Sequence, residues 1–241
     1  MLQDTAIIMY SHSSYADAWP MFVGQQEKYF PELKKYVFTD SVPGELPSSW
    51  EVIYYKEEMS YNERFSSCLK SVSEEYSILH HEDMPLFSAP DKDRIESYLK
   101  CLNEDNNLAY CKLLKGGEMR EIPYKKNPEL FTILHDSEYI FAVQPTIWKT
   151  AALMTVYTET KVSHIREFEP KSQETCRKNS IHGVYAYRGE PKRGMYHHDS
   201  SVYPYVATAI VRGQWNYSEY SLILDELLYE YGINPQIRGI A

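Results

Sequence analysis

The chain has 241 residues, 43% of them hydrophobic and 24% charged, which is the composition of a globular protein with a sizeable core. The formal net charge of -9 argues against a nucleic-acid binder, which normally presents a basic face. An anionic ligand would therefore need a divalent metal or a few local cations. No apolar run approaches the ~20 residues of a membrane span, so we expect no transmembrane segment.

The beginning of the sequence and its cysteines indicate a cytoplasmic protein. Residues 1–4 carry no basic flank and precede only a short apolar run, so they do not form a signal peptide. The four cysteines are far apart and contain no CxxC pair, which argues against a zinc knuckle and favours reduced thiols. The 22 tyrosines are typical both of clefts that bind sugars or nucleobases and of ordinary core edges, so they favour neither.

The first half of the chain alternates strand-like and helix-like segments. The four predicted strands are residues 5–10, 35–40, 51–58 and 76–81. Helices are predicted after the first strand, ending near Pro31, then between Tyr61 and Val72, and again after Asp91, which is placed to cap its helix. This βαβ alternation predicts a mainly parallel sheet covered by helices.

The second half is less regular. Residues 130–136 and 139–144 bracket a polar turn and predict a hairpin. A polar helix is predicted after "REFEP", and residues 183–204 form a loop-rich segment with several cations that could close over a diphosphate. The clearest helix has an apolar stripe from Tyr220 to Tyr231, with Gly232 as its stop. No internal repeat or linker is visible, so one domain is expected.

Polar residues follow three of the predicted strands at the point where each strand ends. They are Ser11 to Ser14, Asp40, and the run from His80 to Asp83. Ligands of open α/β sheets bind beyond the carboxyl ends of the strands. Carboxylates there suit Mg²⁺ or Mn²⁺, with Asp83 as the first candidate and Glu82 as the second. Both can bind one ion only if the strand has already turned, because strand neighbours point to opposite faces. His80 is more simply explained as a structural residue.

The segment "YSILHHEDMPLF", preceded by "MSYNERFSSCLKSV", resembles the nucleotide-sugar half of GT-A-fold glycosyltransferases, and is closest to the family 2-like enzymes, including a branch of large algal viruses and bacteria. In that family a helix with an arginine leads into a strand that ends in a DxD-like motif. This sequence has His81 at the first acidic position. The resemblance extends to "YIFAVQPTIWK", "REFE" and "AIVRGQWN", and so covers most of the chain.

The resemblance implies a single-domain, Rossmann-type α/β fold with a mixed, mainly parallel sheet flanked by helices. Residues 1–115 would be the nucleotide-sugar-binding half, and residues 116–241 the acceptor-binding half with a C-terminal lid. The implied nucleotide-sugar contacts are Ser11, His12, Ser13, Tyr15, Asp40, Arg64, Glu82 and Arg212. The implied metal ligands are Asp83, His81 and His198, and the implied acceptor contacts are Gln144 and Trp148. Arg64 is equally well explained as a solvated helix charge, and Trp148 as a core residue.

The catalytic candidates lie in "IREFEPKSQE". If Pro170 occupies the first helical position, Glu169 is at or near the N-cap, where the helix dipole keeps a carboxylate ionised and ready to accept a proton. Glu167 competes with it, because strand alternation would place both on one face. The simpler alternative is that Glu169 only caps the helix.

These features predict a glycosyltransferase that uses Mn²⁺ or Mg²⁺ and a UDP- or GDP-sugar to glycosylate a glycan or glycoconjugate, with inversion. Two alternatives stay open. One is a metal-dependent phosphohydrolase built from the run His80 to Asp83 and the run His197 to Asp199, which would hold two metals about 3.5–4 Å apart. The other is a non-catalytic module that binds a nucleotide or a sugar.

Overall fold

A computed structural model describes residues 2–194 and 197–241. Four parallel strands form the first half of the sheet. They are β1 (Thr5–Tyr10), β2 (Lys34–Thr39), β3 (Trp50–Tyr54) and β4 (Tyr76–His81), in the spatial order β3-β2-β1-β4. All six residues of β1 are buried, as expected for a strand that is covered on both faces.

The second half of the chain extends the same sheet. Its strands are β5 (Leu108–Lys112), β6 (Leu130–Thr132), β7 (Thr146–Lys149) and β8 (His182–Ala186). Strand β7 runs antiparallel between β4 and β5, β8 runs parallel to β5, and β6 runs antiparallel to β8 at the edge. The result is one eight-stranded sheet of order β3-β2-β1-β4-β7-β5-β8-β6, which confirms the predicted single-domain, mainly parallel sheet.

Helices cover both faces of the sheet. They are α1 (Trp19–Tyr29), α2 (Tyr61–Leu69), α3 (Lys92–Glu104), α4 (Thr150–Glu159), α5 (Ile165–Lys178), α6 (Tyr217–Glu230) and α7 (Pro235–Arg238). Alternate residues of β1 divide between two cores. Ile7 and Met9 pack with α1, α3 and α6, whereas Ile8 packs with α2, α4 and α5. None of the helices in the described residues has the length and apolar character needed to cross a membrane.

Short elements decorate this framework. Two 3₁₀ segments span Leu2–Asp4 and Ser13–Ala18, and two small hairpins pair β9 (Lys192–Arg193) with β10 (His197–His198) and β11 (Ile210–Val211) with β12 (Gln214–Trp215). The turn of the second hairpin places both Arg212 and Gly213 at positive φ (52° and 82°), the pattern of a type I′ turn.

Two predicted helix boundaries are confirmed. Asp91 caps α3, its side chain accepting a hydrogen bond from the Arg94 N–H. Helix α6 stops just before Gly232, whose φ of 63° lies in the left-handed region that glycine adopts without strain.

The predicted hairpin between residues 130–136 and 139–144 is wrong. Strand β6 pairs with β8, and residues 139–144 form no strand. The Gln173 side chain accounts for this, because it accepts from the Phe141 N–H at 2.9 Å and donates to the Phe141 carbonyl at 2.6 Å. These backbone groups are thus satisfied without a neighbouring strand.

Candidate functional site

The carboxyl ends of β1, β2 and β4 meet at one edge of the sheet. Tyr10, the last residue of β1, lies opposite Phe38 of β2 on one side and His81 of β4 on the other. The polar residues that follow these strands therefore share this edge. Ser11 links two of the groups, because its side chain is close enough to Glu82 to lower the pKa of that carboxyl group.

Asp40 fixes the conformation of the turn after β1. Its Oδ1 accepts from the Ser13 N–H at 2.7 Å, and its Oδ2 accepts from the hydroxyls of Ser13 at 2.6 Å and Ser41 at 3.0 Å. Burial alone would raise the pKa of Asp40, but these hydrogen bonds outweigh it and hold the pKa well below its usual value. The carboxylate is thus ionised and holds the Ser11–Tyr15 turn against β2.

A histidine and two carboxylates form a candidate metal site on the same edge. His12 Nε2 lies 2.9 Å from Glu57 Oε1 and 3.9 Å from Asp40 Oδ1. One ligand atom of each lies within 4.8 Å of the other two, and within residues 2–194 and 197–241 no other trio of His, Cys, Asp or Glu is grouped in this way. Glu57 was not a sequence candidate, because its contact with His12 spans 45 positions.

Glu82 and Asp83 form an acidic pair directly after β4. The chain has already turned there, with the Met84 N–H donating to the His81 carbonyl at 3.1 Å, so the condition for both carboxyls to serve one ligand is met. Burial raises the pKa of both groups, and the charge of Asp83 raises that of Glu82 further. The positive charge of Arg238 lowers both pKa values by less than burial raises them, and a divalent cation would further favour the ionised form of the pair.

The neighbouring histidines have separate environments. His80 is fully buried, with Nε2 2.7 Å from the Tyr203 hydroxyl, in keeping with a structural role. The His81 ring lies 5.7 Å from the Tyr10 ring, and its Nε2 is buried without a hydrogen-bond partner in the described residues. Burial lowers the pKa of His81 to about 4, so this imidazole is neutral at physiological pH.

His198 does not join the acidic pair. Its ring packs edge-on against Tyr187 at 5.2 Å, and its backbone N–H donates to the Lys115 carbonyl at 3.0 Å. Among the residues that the structure describes, no trio of metal-ligating side chains combines Asp83 with His81 or His198. The structure therefore does not group His198 with Asp83 and His81 as the sequence indicated, because the His198 ring packs against Tyr187.

The two predicted arginine contacts differ. Arg64 donates through Nε to the Met59 carbonyl at 2.8 Å and through Nη2 to the Glu57 carbonyl, and its guanidinium lies over the Tyr55 ring. It thereby braces the loop that carries Glu57, at the edge where the strands end. Arg212 is exposed at the tip of the β11–β12 hairpin.

A cleft of about 800 Å³ opens beside the acidic pair. Met84, which directly follows Asp83, lines it, whereas Glu82 and Asp83 do not, and another part of its wall is formed by α5 and by residues 138–144. Gln144 and Glu169, both predicted from the sequence, lie in this wall. The Gln144 Nε2 is buried and has no acceptor among the described residues, so a ligand oxygen could accept from it. His197 also lines the cleft, with Nε2 2.9 Å from the Tyr220 hydroxyl.

Glu169 reaches the cleft from inside α5 and not from its N-cap. The helix begins at Ile165 after the N-cap His164, and Pro170 lies within it, so the predicted N-cap position is wrong. Phe168 packs in the core between Tyr157 and Phe141 and draws this segment into the helix. Glu169 Oε1 accepts from the Val143 N–H at 2.6 Å, while Oε2 has no donor among the described residues.

Glu167 is on another side of α5. Its carboxylate lies 3.7 Å from Lys171 Nζ and 4.0 Å from His164 Nδ1, with 43% of the side chain exposed. The strand alternation that paired it with Glu169 does not apply, because two residues of a helix are separated by about 200°. Of the two candidate bases, the structure places Glu169 in the cleft and Glu167 in solvent.

Trp148 is a core residue. It is 1% exposed, stacks on Tyr110 at 4.3 Å between ring centroids and lies 5.6 Å from Phe141. No ring face is open to a sugar, so the predicted acceptor contact is wrong. The strand position of Trp148 points it into the core below the cleft.

A buried lysine below the cleft was not a sequence candidate. Lys112, the last residue of β5, is fully buried and donates to the carbonyl of Tyr139, a cleft-lining residue. Burial lowers the pKa of Lys112 to about 7, and the negative charge of Glu169 opposes this shift. A lysine that ends a strand normally reaches solvent, so the sequence carries no signal for this environment.

Comparison with known proteins yields only distant structural similarity. No family model and no curated protein matches the sequence. A CMP:2-keto-3-deoxy-manno-octonic acid synthetase complexed with CTP has 12% identity and a TM-score of 0.45, over 75% of this chain and 88% of that chain. The mannosyltransferase PcManGT from Pyrobaculum calidifontis, in complex with GDP-Man and Mn²⁺, has 11% identity and a TM-score of 0.46, over 79% of this chain and 58% of that chain. The 4-diphosphocytidyl-2C-methyl-D-erythritol synthase from Anaerococcus prevotii has 12% identity and a TM-score of 0.44, over 76% of this chain and 89% of that chain.

Proposed function

We propose that this protein is a metal-dependent glycosyltransferase that moves a sugar from a nucleotide-diphosphate sugar to a hydroxyl group of a glycan or glycoconjugate. One observation carries the proposal: the cleft that holds Glu169 is lined by Met84, the residue that directly follows the acidic pair at the carboxyl end of β4. A donor diphosphate at the pair and an acceptor in the cleft would then meet between them. The resemblance to GT-A enzymes supports the same assignment.

The donor would bind at the sheet edge, in residues 1–115. The Ser11–Tyr15 turn and Asp40 would contact the nucleoside of a UDP- or GDP-sugar, with Arg64 near them on the Tyr55 ring. Asp83 and Glu82 would hold a Mg²⁺ or Mn²⁺ ion, which supplies positive charge at the diphosphate when it is bound. Two observations fit such an ion: the raised pKa values of this buried pair and the orphaned Nε2 of His81.

The acceptor would bind in the cleft, in residues 116–241. Gln144 would donate to an acceptor oxygen through its unpaired Nε2. Glu169 would take the proton of the attacking hydroxyl while that oxygen bonds to the anomeric carbon and the bond from that carbon to the diphosphate breaks. Direct displacement with one base inverts the anomeric configuration. A cation held by His12, Asp40 and Glu57 is the second candidate position for the metal.

The two alternatives make different demands on the site. A phosphohydrolase with two metals needs its histidine runs assembled, yet His80 is bonded to Tyr203 and His198 packs against Tyr187. A non-catalytic binding module would use the same edge but would be indifferent to the proton-accepting capacity of Glu169. The transferase is therefore the function that this site supports best.

A thermal-shift panel of nucleoside diphosphates, each with and without Mn²⁺, tests the proposal. A ligand at 100 times its Kd stabilises the folded state by about 2.7 kcal/mol, which corresponds to a Tm rise of about 5 to 11 °C in a chain of this size. We expect UDP or GDP to give such a rise only with Mn²⁺. If no nucleotide changes the Tm, the proposal is wrong, and a response to metal alone would favour the phosphohydrolase.

A further inference from the structure

The last residues of the sequence lie against the donor side of the site. Helix α7 ends at Arg238, and the residues after it run beside β12. The Trp215 N–H donates to the Gly239 carbonyl at 2.9 Å, and the Ala241 N–H donates to the Trp215 carbonyl at 2.9 Å. This pairing fixes the backbone on both sides of Ile240, which forms a parallel bridge with Trp215, and so positions Arg238.

Arg238 joins the turn after β1 to the β11–β12 hairpin. Its Nε and Nη2 donate to the two carboxylate oxygens of Asp17, with Nε 3.0 Å from Oδ2. The guanidinium lies 5.0 Å from the centroid of the Tyr15 ring and 5.6 Å from that of Trp215, and only 10% of the side chain is exposed. Its remaining nitrogen, Nη1, makes a long bond of 3.3 Å to the Gly213 carbonyl.

The two elements that hold Arg238 also contact the acidic pair. On one side, the Asp83 carbonyl accepts from the Ala209 N–H at 2.9 Å, and the backbone of Ile210, which lies opposite Trp215, lowers the pKa of the Asp83 carboxyl group. On the other side, the Ser11 side chain lowers the pKa of Glu82, and Ser11 lies just before the 3₁₀ segment Ser13–Ala18 that contains Asp17. The guanidinium is also close enough for its positive charge to lower the pKa of both acidic groups, against the larger effect of burial.

We propose that Arg238 binds the diphosphate of the nucleotide donor. This inference rests on the proposed function and names a cation that neither the composition nor the resemblance indicated. A planar guanidinium suits phosphate oxygens. Nη1 can exchange its long hydrogen bond to the Gly213 carbonyl for one to a phosphate oxygen, while Nε and Nη2 keep their hydrogen bonds to Asp17. Asp17 pairs with Arg238, and Glu82 and Asp83 lie within reach of its charge, so a diphosphate bound near these carboxylates would need such a cation.

Isothermal titration of UDP, GDP, uridine and guanosine, each with Mn²⁺, tests the role of Arg238. Hydrogen bonds to charged groups contribute about 1.5–3 kcal/mol, so Arg238→Gln should weaken the preferred diphosphate about 10- to 150-fold. Affinity for the nucleoside alone should stay within twofold. Arg238→Lys keeps the charge without the planar fork, so its affinity for the diphosphate should lie between those of the wild type and Arg238→Gln. Arg120→Gln, at an arginine paired with Asp136 and 67% exposed, is the matched control and should bind like the wild type.

Asp17→Asn separates diphosphate binding from a bracing role. This variant removes the ion pair and keeps the Arg238 charge, so diphosphate affinity should be unchanged or higher. If Asp17→Asn weakens binding as much as Arg238→Gln, Arg238 acts only as a brace and the inference is overturned. Wild-type affinity in Arg238→Gln overturns it as well. If Arg238→Gln does not fold, Arg238→Lys and Asp17→Asn decide the question. If the wild type binds no nucleotide at all, the proposed function fails first and the inference fails with it.

Discussion

Glu169→Gln isolates the proposed chemical step from donor binding. In the wild type, Glu169 Oε1 accepts from the Val143 N–H at 2.6 Å. The glutamine carbonyl oxygen can take over this role, so the wall of the cleft should keep its shape. The variant cannot take a proton at neutral pH. We therefore expect nucleotide binding at the sheet edge to be unchanged and sugar transfer to fall.

The expected losses of transfer rate and of folding stability follow from the environment of Glu169. A positioned general base contributes 10²- to 10⁴-fold to a rate, or about 2.7 to 5.5 kcal/mol in the activation barrier. The cost in stability should be only about 1 kcal/mol, because a charged acceptor of one backbone N–H is replaced by a neutral one. A loss of rate far larger than the loss of stability marks Glu169 as the base.

Glu167→Gln is the matched control for this experiment. The substitution is chemically the same and lies on the same helix, but the Glu167 carboxylate is in solvent near Lys171. The assay measures nucleoside diphosphate release and sugar transfer with the donor that the binding panel selects, and urea unfolding of each variant in parallel. Equal turnover in Glu169→Gln and the wild type would refute the role of Glu169 and favour a non-catalytic module.

Three further predictions concern the core, a buried charge and the metal. Trp148→Ala should reduce the free energy of unfolding in urea by about 3–5 kcal/mol, whereas Tyr229→Ala, at a residue 90% exposed, should change it by less than about 0.5 kcal/mol. Burial lowers the pKa of Lys112 from 10.5 to about 7, so the unfolded chain binds more protons above pH 7 and stability rises with pH. Relative to Lys112→Met, the free energy of unfolding of the wild type should rise by about 1.4 kcal/mol per pH unit from about pH 7 to 10, and a constant difference would contradict the burial of a charged lysine. Asp83→Asn should abolish the effect of Mn²⁺ on nucleotide affinity while Glu57→Gln preserves it, and the reverse result in titration calorimetry would place the metal at the other candidate site.

The parts of the fold that follow from local sequence patterns were predictable. Continuous apolar runs gave the four parallel strands of the first half, and their polar carboxyl ends meet as the topology requires. Asp91 and Gly232 set helix ends through local hydrogen bonding and φ preference. Such signals depend on a few neighbouring residues and survive in any fold that uses the same elements.

Errors arose where a distant side chain overrides the local pattern. Residues 139–144 look like a strand, but Gln173 satisfies the backbone of Phe141 and leaves no ladder to form. Pro170 looks like a helix start, but the burial of Phe168 extends α5 back to Ile165.

The remaining site residues depend on contacts between distant parts of the chain. Arg238 meets Asp17 across 221 positions, and Glu57 meets His12 across 45. No spacing rule connects such pairs, because only the packing of the whole sheet brings them together. Lys112 is similar, since its burial depends on residues 138–144 lying above the end of β5.

Sugar transfer itself is the decisive measurement for the proposed function. Purified protein would be incubated with UDP- and GDP-sugars, Mn²⁺ and a set of glycan acceptors, and the acceptors analysed by mass spectrometry and by the NMR coupling of the new anomeric proton. We expect a product one sugar heavier than its acceptor, of inverted anomeric configuration, whose formation requires metal and is lost in Glu169→Gln. A protein that binds the nucleotide sugar and Mn²⁺ but glycosylates none of the acceptors, or whose product forms equally well in Glu169→Gln, would contradict the proposed function.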